Sequence, residues 1–133
     1  MHIDSSVFLR RVLLADAAAT TVSGLLMLLD ADLLHRLLGI PVTLLHYSGL
    51  SFLPFAAFVF YFAKRAILPA PAVWAVIAYN GVWAAASIEA LVSGWIEPAM
   101  LGKVFVVAQA VVVGIFAEAE YFGLRRMSRA VSQ

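Results

Sequence analysis

Four long apolar stretches, each closed off by proline together with charged or polar residues, constrain this chain more than any other feature. They cover residues 12–29, 42–63, 72–92 and about 99–122. At 1.5 Å per residue such segments form helices of roughly 27–36 Å, which matches a hydrocarbon core of about 30 Å. The separators, residues 30–41, 64–71 and 93–98, hold the breakers that should end helices. None is long enough for a second domain, and no internal repeat is evident. The expectation is one all-α unit over residues 1–133, a four-transmembrane-helix bundle.

Composition removes the competing classes. Of 133 residues, 64% are hydrophobic and 13% charged, whereas soluble domains carry roughly 45–50% apolar and about 25% charged residues. A small globule leaves too much surface exposed to hide this excess. Disorder, nucleic-acid binding and an ordinary soluble enzyme are disfavoured together. The chain has no cysteine, so thiol nucleophiles, thiolate metal sites and disulfide exchange are excluded. Arg10 and Arg11 precede the first apolar run, but that run contains Asp16 and no small-residue cleavage site follows. A retained helix, not a signal peptide, is expected.

Charge sets the expected orientation. With helix ends numbered alternately, one side receives Arg10, Arg11, Lys64, Arg65, Arg125, Arg126 and Arg129. The other receives Arg36, with Lys103 in the opening turns of the fourth span. Positive residues in short loops stay on the cytoplasmic side, so both termini are predicted there, in a bacterial inner membrane. On the outer side, residues 30–41 form a small structure of their own. Asp30 suits a helix start, Gly39 its end, and Pro41 stops continuation. Leu33, Leu34, Leu37 and Leu38 share one face, with Asp32, His35 and Arg36 on another, as in a short interfacial helix.

The intramembrane polar residues are the informative ones, because charge at the bilayer centre costs at least about 2.5–3.5 kcal/mol and calls for a partner. The candidates are Asp16, Asn80, Glu89, Lys103 and Glu118, with Gln109 beside them. Glu89 and Lys103 lie seven residues either side of Ile96, which puts them at equal depth in an antiparallel hairpin and predicts an ion pair. Ala78, Gly81, Ala85 and Glu89 share a face, as do Lys103, Ala110, Gly114, Ala117 and Tyr121. Small-residue faces of this kind let membrane helices approach closely. Asn80, nine residues before Glu89, falls about 180° away at 100° per residue, so the third span needs two neighbours. The first span offers Asp16, Thr20, Ser23, Gly24 and Met27 on one stripe, and a Thr20–Asn80 hydrogen bond fits the depths. Asp16 and Glu118 each stand four residues inside the cytoplasmic boundary. Either they meet and share one proton, or each pairs with a nearby arginine: Asp16 with Arg10 or Arg11, Glu118 with Arg125.

Other chemistry is thin. His35 and His46 lack the ligand spacing of a zinc site, and no cofactor or metal is expected. There is no serine elbow, no glycine-rich phosphate loop and no HExxH. Trp95 and Tyr121 suit the interfacial belts. The phenylalanines of the second span (Phe52, Phe55, Phe58, Phe60 and Phe62) are expected to face lipid, and Pro54 to free the Leu50 carbonyl. Trp74, Tyr79 and Trp83 leave room for a lipid-like ligand in a groove beside the third span.

Three stretches, LLGIPVTLLHYSGLSFLPFAAFV (37–59), VWAVIAYNGVWAAAS (73–87) and AEYFGLRR (119–126), resemble uncharacterised small bacterial inner-membrane proteins with four spans. The resemblance extends over most of the chain and implies the architecture, with no activity attached. The functional expectation is a non-enzymatic membrane protein whose partners are the bilayer and either further copies of itself or another membrane protein, with no nucleic acid. A small oligomeric transporter or channel is the alternative, and a binder of a lipid or quinone the third reading.

Overall fold

The computed structural model describes the backbone of residues 2–132 and the side chains of residues 7–127. Five helices follow one another: α1 (His2–Leu29), α2 (Ala31–Leu38), α3 (Val42–Ala63), α4 (Ala70–Val92) and α5 (Met100–Ser132). No strand occurs among the described residues. Four of the helices are long and apolar enough to cross a membrane, over Val7–Leu29, Val42–Ala63, Ala70–Val92 and Met100–Met127. The chain is an integral-membrane, all-α four-helix bundle. α1 runs unbroken through the paired Arg10 and Arg11, ahead of the hydropathy boundary at residue 12.

The breakers between the spans act where expected. Pro41 and Pro69 stand immediately before α3 and α4, and Pro71 occupies the first turn of α4, where its missing N–H would have no helical partner anyway. α3 runs unbroken through Pro54. Gly39 ends α2 in the left-handed region at φ 73°, its N–H bonded to the His35 carbonyl at 2.8 Å. Asp30 makes no side-chain cap. Its backbone closes α1 through Leu26 and opens α2 through Leu34, both at 2.9 Å, so the two helices meet at a single residue. α2 buries Ala31 and Leu38, half-buries Leu34 and leaves Leu33 and Leu37 exposed, so its leucine face is divided between the bundle and its surroundings. The Leu38 carbonyl accepts from Ala99 at 2.9 Å, tying α2 to the start of α5.

In the bundle, α1 packs against α3 on one side and α5 on another, and α4 packs against α5. α1 and α3 cross closely at glycine. A Cβ added at Gly49 would lie 2.8 Å from the Gly24 carbonyl oxygen, so only glycine lets these backbones touch. α3 and α4 meet through aromatic side chains. Phe55 stacks on Tyr79 with centroids 3.8 Å apart, Phe52 meets Trp83 edge-on at 4.8 Å, and Ser51 and Tyr79 share a 2.7 Å hydrogen bond. Phe52 and Phe55 therefore face inward, whereas Phe58 and Phe60 are exposed as expected. The apolar core divides in two. One cluster holds Leu9, Leu13, Val59, Val73 and Leu124, toward the end that carries the termini; the other holds Met27, Leu38, Leu45 and Val106, toward α2.

Candidate functional site

Between the two apolar clusters lies a buried polar one. Asp16 on α1, Asn80 on α4 and Glu120 on α5 are 2%, 3% and 0% exposed. Asn80 is ten residues from Ala70 and twelve from Val92, and Asp16 is hydrogen-bonded to it at the same depth. Both therefore stand near mid-span, where leaving a polar group unpaired costs most. The Asn80 side-chain amide donates to Asp16 Oδ2 at 2.7 Å and to Glu120 Oε1 at 2.9 Å. Thr20, one turn beyond Asp16, donates to Asp16 Oδ1 at 3.1 Å. One amide thus holds two carboxyl groups from two other helices. Glu120 Oε2 is buried without a hydrogen-bond partner.

Beside this cluster a cavity of about 240 Å³ opens between α1, α4 and α5. Asp16, Thr20 and Asn80 stand at its polar end. Phe52, Tyr79, Trp83, Phe105 and Phe116 supply aromatic walls. Ala19, Ala108 and Val112 line it while exposed at the bundle surface, so its mouth faces the bilayer between α1 and α5. The Trp83 indole N–H donates to Gln109 Oε1 at 3.0 Å, and Gln109 Nε2 donates to the Val106 carbonyl at 3.0 Å. A second cavity of about 300 Å³, toward α2 and the turn before α5, shares Met27, Trp83, Phe105 and Gln109 with the first. The Trp83–Gln109 pair therefore stands where the two cavities adjoin.

The candidates read from the sequence separate into two sets. The first and third spans meet at Asn80 as expected, but through Asp16: among the described residues no Thr20–Asn80 bond forms, and both residues donate to Asp16 instead. The partner of Asp16 on the fourth span is Glu120, not Glu118. Helical phase explains this. Gly102, Val106, Glu120 and Leu124 share the buried face of α5, and Glu118, 200° from Glu120 at 100° per residue, points outward. Glu118 is exposed, and among the described residues no ion pair joins it to Arg125, which instead reaches Tyr121. Nor does Asp16 pair with Arg10 or Arg11 among the described residues. Arg10 donates to the Ala63 and Ala66 carbonyls at 2.6 and 2.9 Å, capping the end of α3.

Glu89 and Lys103 are both exposed, and among the described residues no ion pair joins them. Their helices meet through other faces: Lys103 is one residue off the buried stripe of α5. Glu89 shares its face with Ala78, Gly81 and Ala85, all exposed. A Cβ at Gly81 or Gly114 would meet nothing within 4 Å, so neither glycine makes a close α4–α5 approach. α4 carries Asn80 inward and Glu89 outward, but the two neighbours expected on opposite sides both meet Asn80 instead, Asp16 on α1 and Glu120 on α5.

Glu120 and the Trp83–Gln109 bond were the residues missed. The periodicity of Gly102, Val106 and Val113 points along α5 to Glu120, a signal obscured by its position beside Tyr121 at the apparent span end. No group of three or more potential metal ligands exists among the described residues. No family model, curated protein or solved structure matches this chain.

Proposed function

We propose that this integral membrane protein is a non-enzymatic binding protein, which takes a lipophilic small molecule from the bilayer into the cavity between α1, α4 and α5. One observation carries the reading. A cavity with aromatic walls, a mouth toward lipid and a small set of fixed polar atoms at one end has the form of a small-molecule site. Four closely packed helices would enclose no such space. The seven-to-two distribution of basic residues supports termini on the cytoplasmic side of a bacterial inner membrane. A periplasmic reporter fused after Gln133 should accordingly be inactive.

The test of the binding reading is chemical. Protein purified in mild detergent, then extracted with organic solvent, should release a lipophilic compound near one equivalent. Ala108→Trp, which fills the mouth from an exposed position, should reduce the retained amount at least fivefold without lowering the unfolding temperature. Equal retention by both proteins, or none by either, would remove the reading.

A second reading concerns partners. The exposed Ala78, Gly81 and Ala85 face on α4 supports association with another copy of this chain or a further membrane protein, as in a homo-oligomer or accessory subunit. Gly81→Leu should leave the monomer fold intact and shift a native-mass-spectrometry distribution toward monomer. An unchanged distribution counts against it.

A further inference from the structure

We infer that the cavity takes a lipophilic ligand bearing a positively charged, hydrogen-bond-donating head, an alkyl- or arylammonium, seated against Asp16. The inference rests on the cavity's being a binding site and goes on to name the ligand's chemistry.

Charge balance is the first argument. Asp16 and Glu120 bring two carboxyl groups to the middle of the bundle, and no ion pair to either exists among the described residues. The groups that do reach them, the Asn80 amide and the Thr20 hydroxyl, are neutral. Two carboxyl groups this close in an apolar surround hold one proton between them, which leaves a single negative charge at the cluster, and a buried charge calls for a positive partner. The chain's own described side chains supply none, and the cavity opens directly beside Asp16.

Hydrogen-bond accounting is the second. Most donors at the polar end are already committed inside the protein. Both Asn80 amide hydrogens go to the carboxyl groups, the Thr20 hydroxyl to Asp16, the Trp83 indole to Gln109, and one Gln109 N–H to Val106. What remains is acceptor-rich: each Asp16 oxygen carries one bond and retains lone-pair capacity, as does Gln109 Oε1. An acceptor-only head such as a quinone carbonyl would be turned against a carboxylate. An ammonium brings donors and the missing charge together, and its bond to a carboxylate is the stronger, charge-assisted kind.

The walls are the third. Tyr79 and Trp83 stand parallel, their planes 3° apart and centroids 6.5 Å apart, and both line the cavity next to Asp16. Aromatic walls of this sort attract a desolvated cation through the ring quadrupole and accept its apolar tail. Glu120 is not part of the cavity lining and does not touch the ligand.

The experiment compares matched probes on the full chain in lipid nanodiscs by isothermal titration calorimetry: 4-phenylbutylammonium, 4-phenylbutanol and a short-tailed benzoquinone. The ammonium should bind at least tenfold more tightly than the alcohol, and the quinone more weakly than either. Asp16→Asn should erase the ammonium's advantage and leave the alcohol's affinity unchanged, while Glu118→Gln should change neither. The wild-type comparison stands on its own if Asp16→Asn fails to fold. Binding of alcohol or quinone in preference to the ammonium, or ammonium binding that survives Asp16→Asn, would overturn the ligand class and leave the binding reading in place. Binding of no probe would overturn both.

Discussion

Over residues 16–27 the two sides of α1 are built in opposite ways. On one side Gly24 lies against Gly49 of α3 so closely that a Cβ at residue 49 would fall 2.8 Å from the Gly24 carbonyl oxygen and 2.8 Å from Leu28 Cγ. On the other side the same turns face α5 across a cavity of about 240 Å³ lined by Asp16, Thr20 and Phe105. Membrane helices gain little from burying apolar surface, so the close packing of α1 on α3 is where van der Waals attraction accumulates. The opposite side keeps an opening, and there the polar bonds of Asn80 connect the helices. A bundle packed like the first side throughout would have no room for a ligand. One packed like the second throughout would have little to hold it together.

Substitutions can break this contrast, and the largest effect belongs to the glycine crossing. Gly49→Leu should cost about 3 kcal/mol or prevent accumulation in the membrane, since the obstacle is backbone, which cannot rotate aside. Gly114→Leu, with nothing within 4 Å, should change stability by less than about 0.5 kcal/mol. Thermal unfolding in one detergent compares the two, and equal losses would show that the glycines of α1 and α3 are not special. Next comes Asn80→Ala, which leaves two buried carboxyl groups without their common donor and should cost about 2–3 kcal/mol by the same assay. Tyr79→Phe retains the stacking on Phe55 and loses only the bond shared with Ser51, so a loss of about 0.5–1 kcal/mol is expected. Smallest is Glu118→Gln on the outward face of α5, which should be silent within about 0.5 kcal/mol.

The two sides of α1 were unequally legible in the sequence. Span number and the amphipathic α2 follow from apolar run length and leucine spacing, which act locally. Most of the stripe, Asp16, Thr20, Ser23 and Met27, was also readable and lines the cavity, because a helix fixes which residues share a face; Gly24, at its edge, turns to α3 instead. Which neighbour each face meets was not. The small residues Ala78, Gly81 and Ala85 satisfy the rule for a tight contact as well as Gly24 and Gly49 do, yet only the second pair is used within the chain. Glu89 and Lys103 had equal depth in their favour, but depth without rotational phase does not bring side chains together. Glu120 was hidden by the assumed end of the fourth span at residue 122, which left it looking like a boundary residue. The helix continues past it, so its side chain is carried into the bundle.

The most direct measurement is a double-mutant cycle in unfolding free energy between Asp16→Asn and Glu120→Gln, run beside the same cycle with Glu118→Gln. Residues joined through one hydrogen-bonded group should be non-additive, here by about 1 kcal/mol or more, while the Asp16–Glu118 cycle should add to within about 0.5 kcal/mol. Additivity at Glu120, or coupling at Glu118 in its place, would contradict a polar centre in which Asn80 holds Asp16 and Glu120 together.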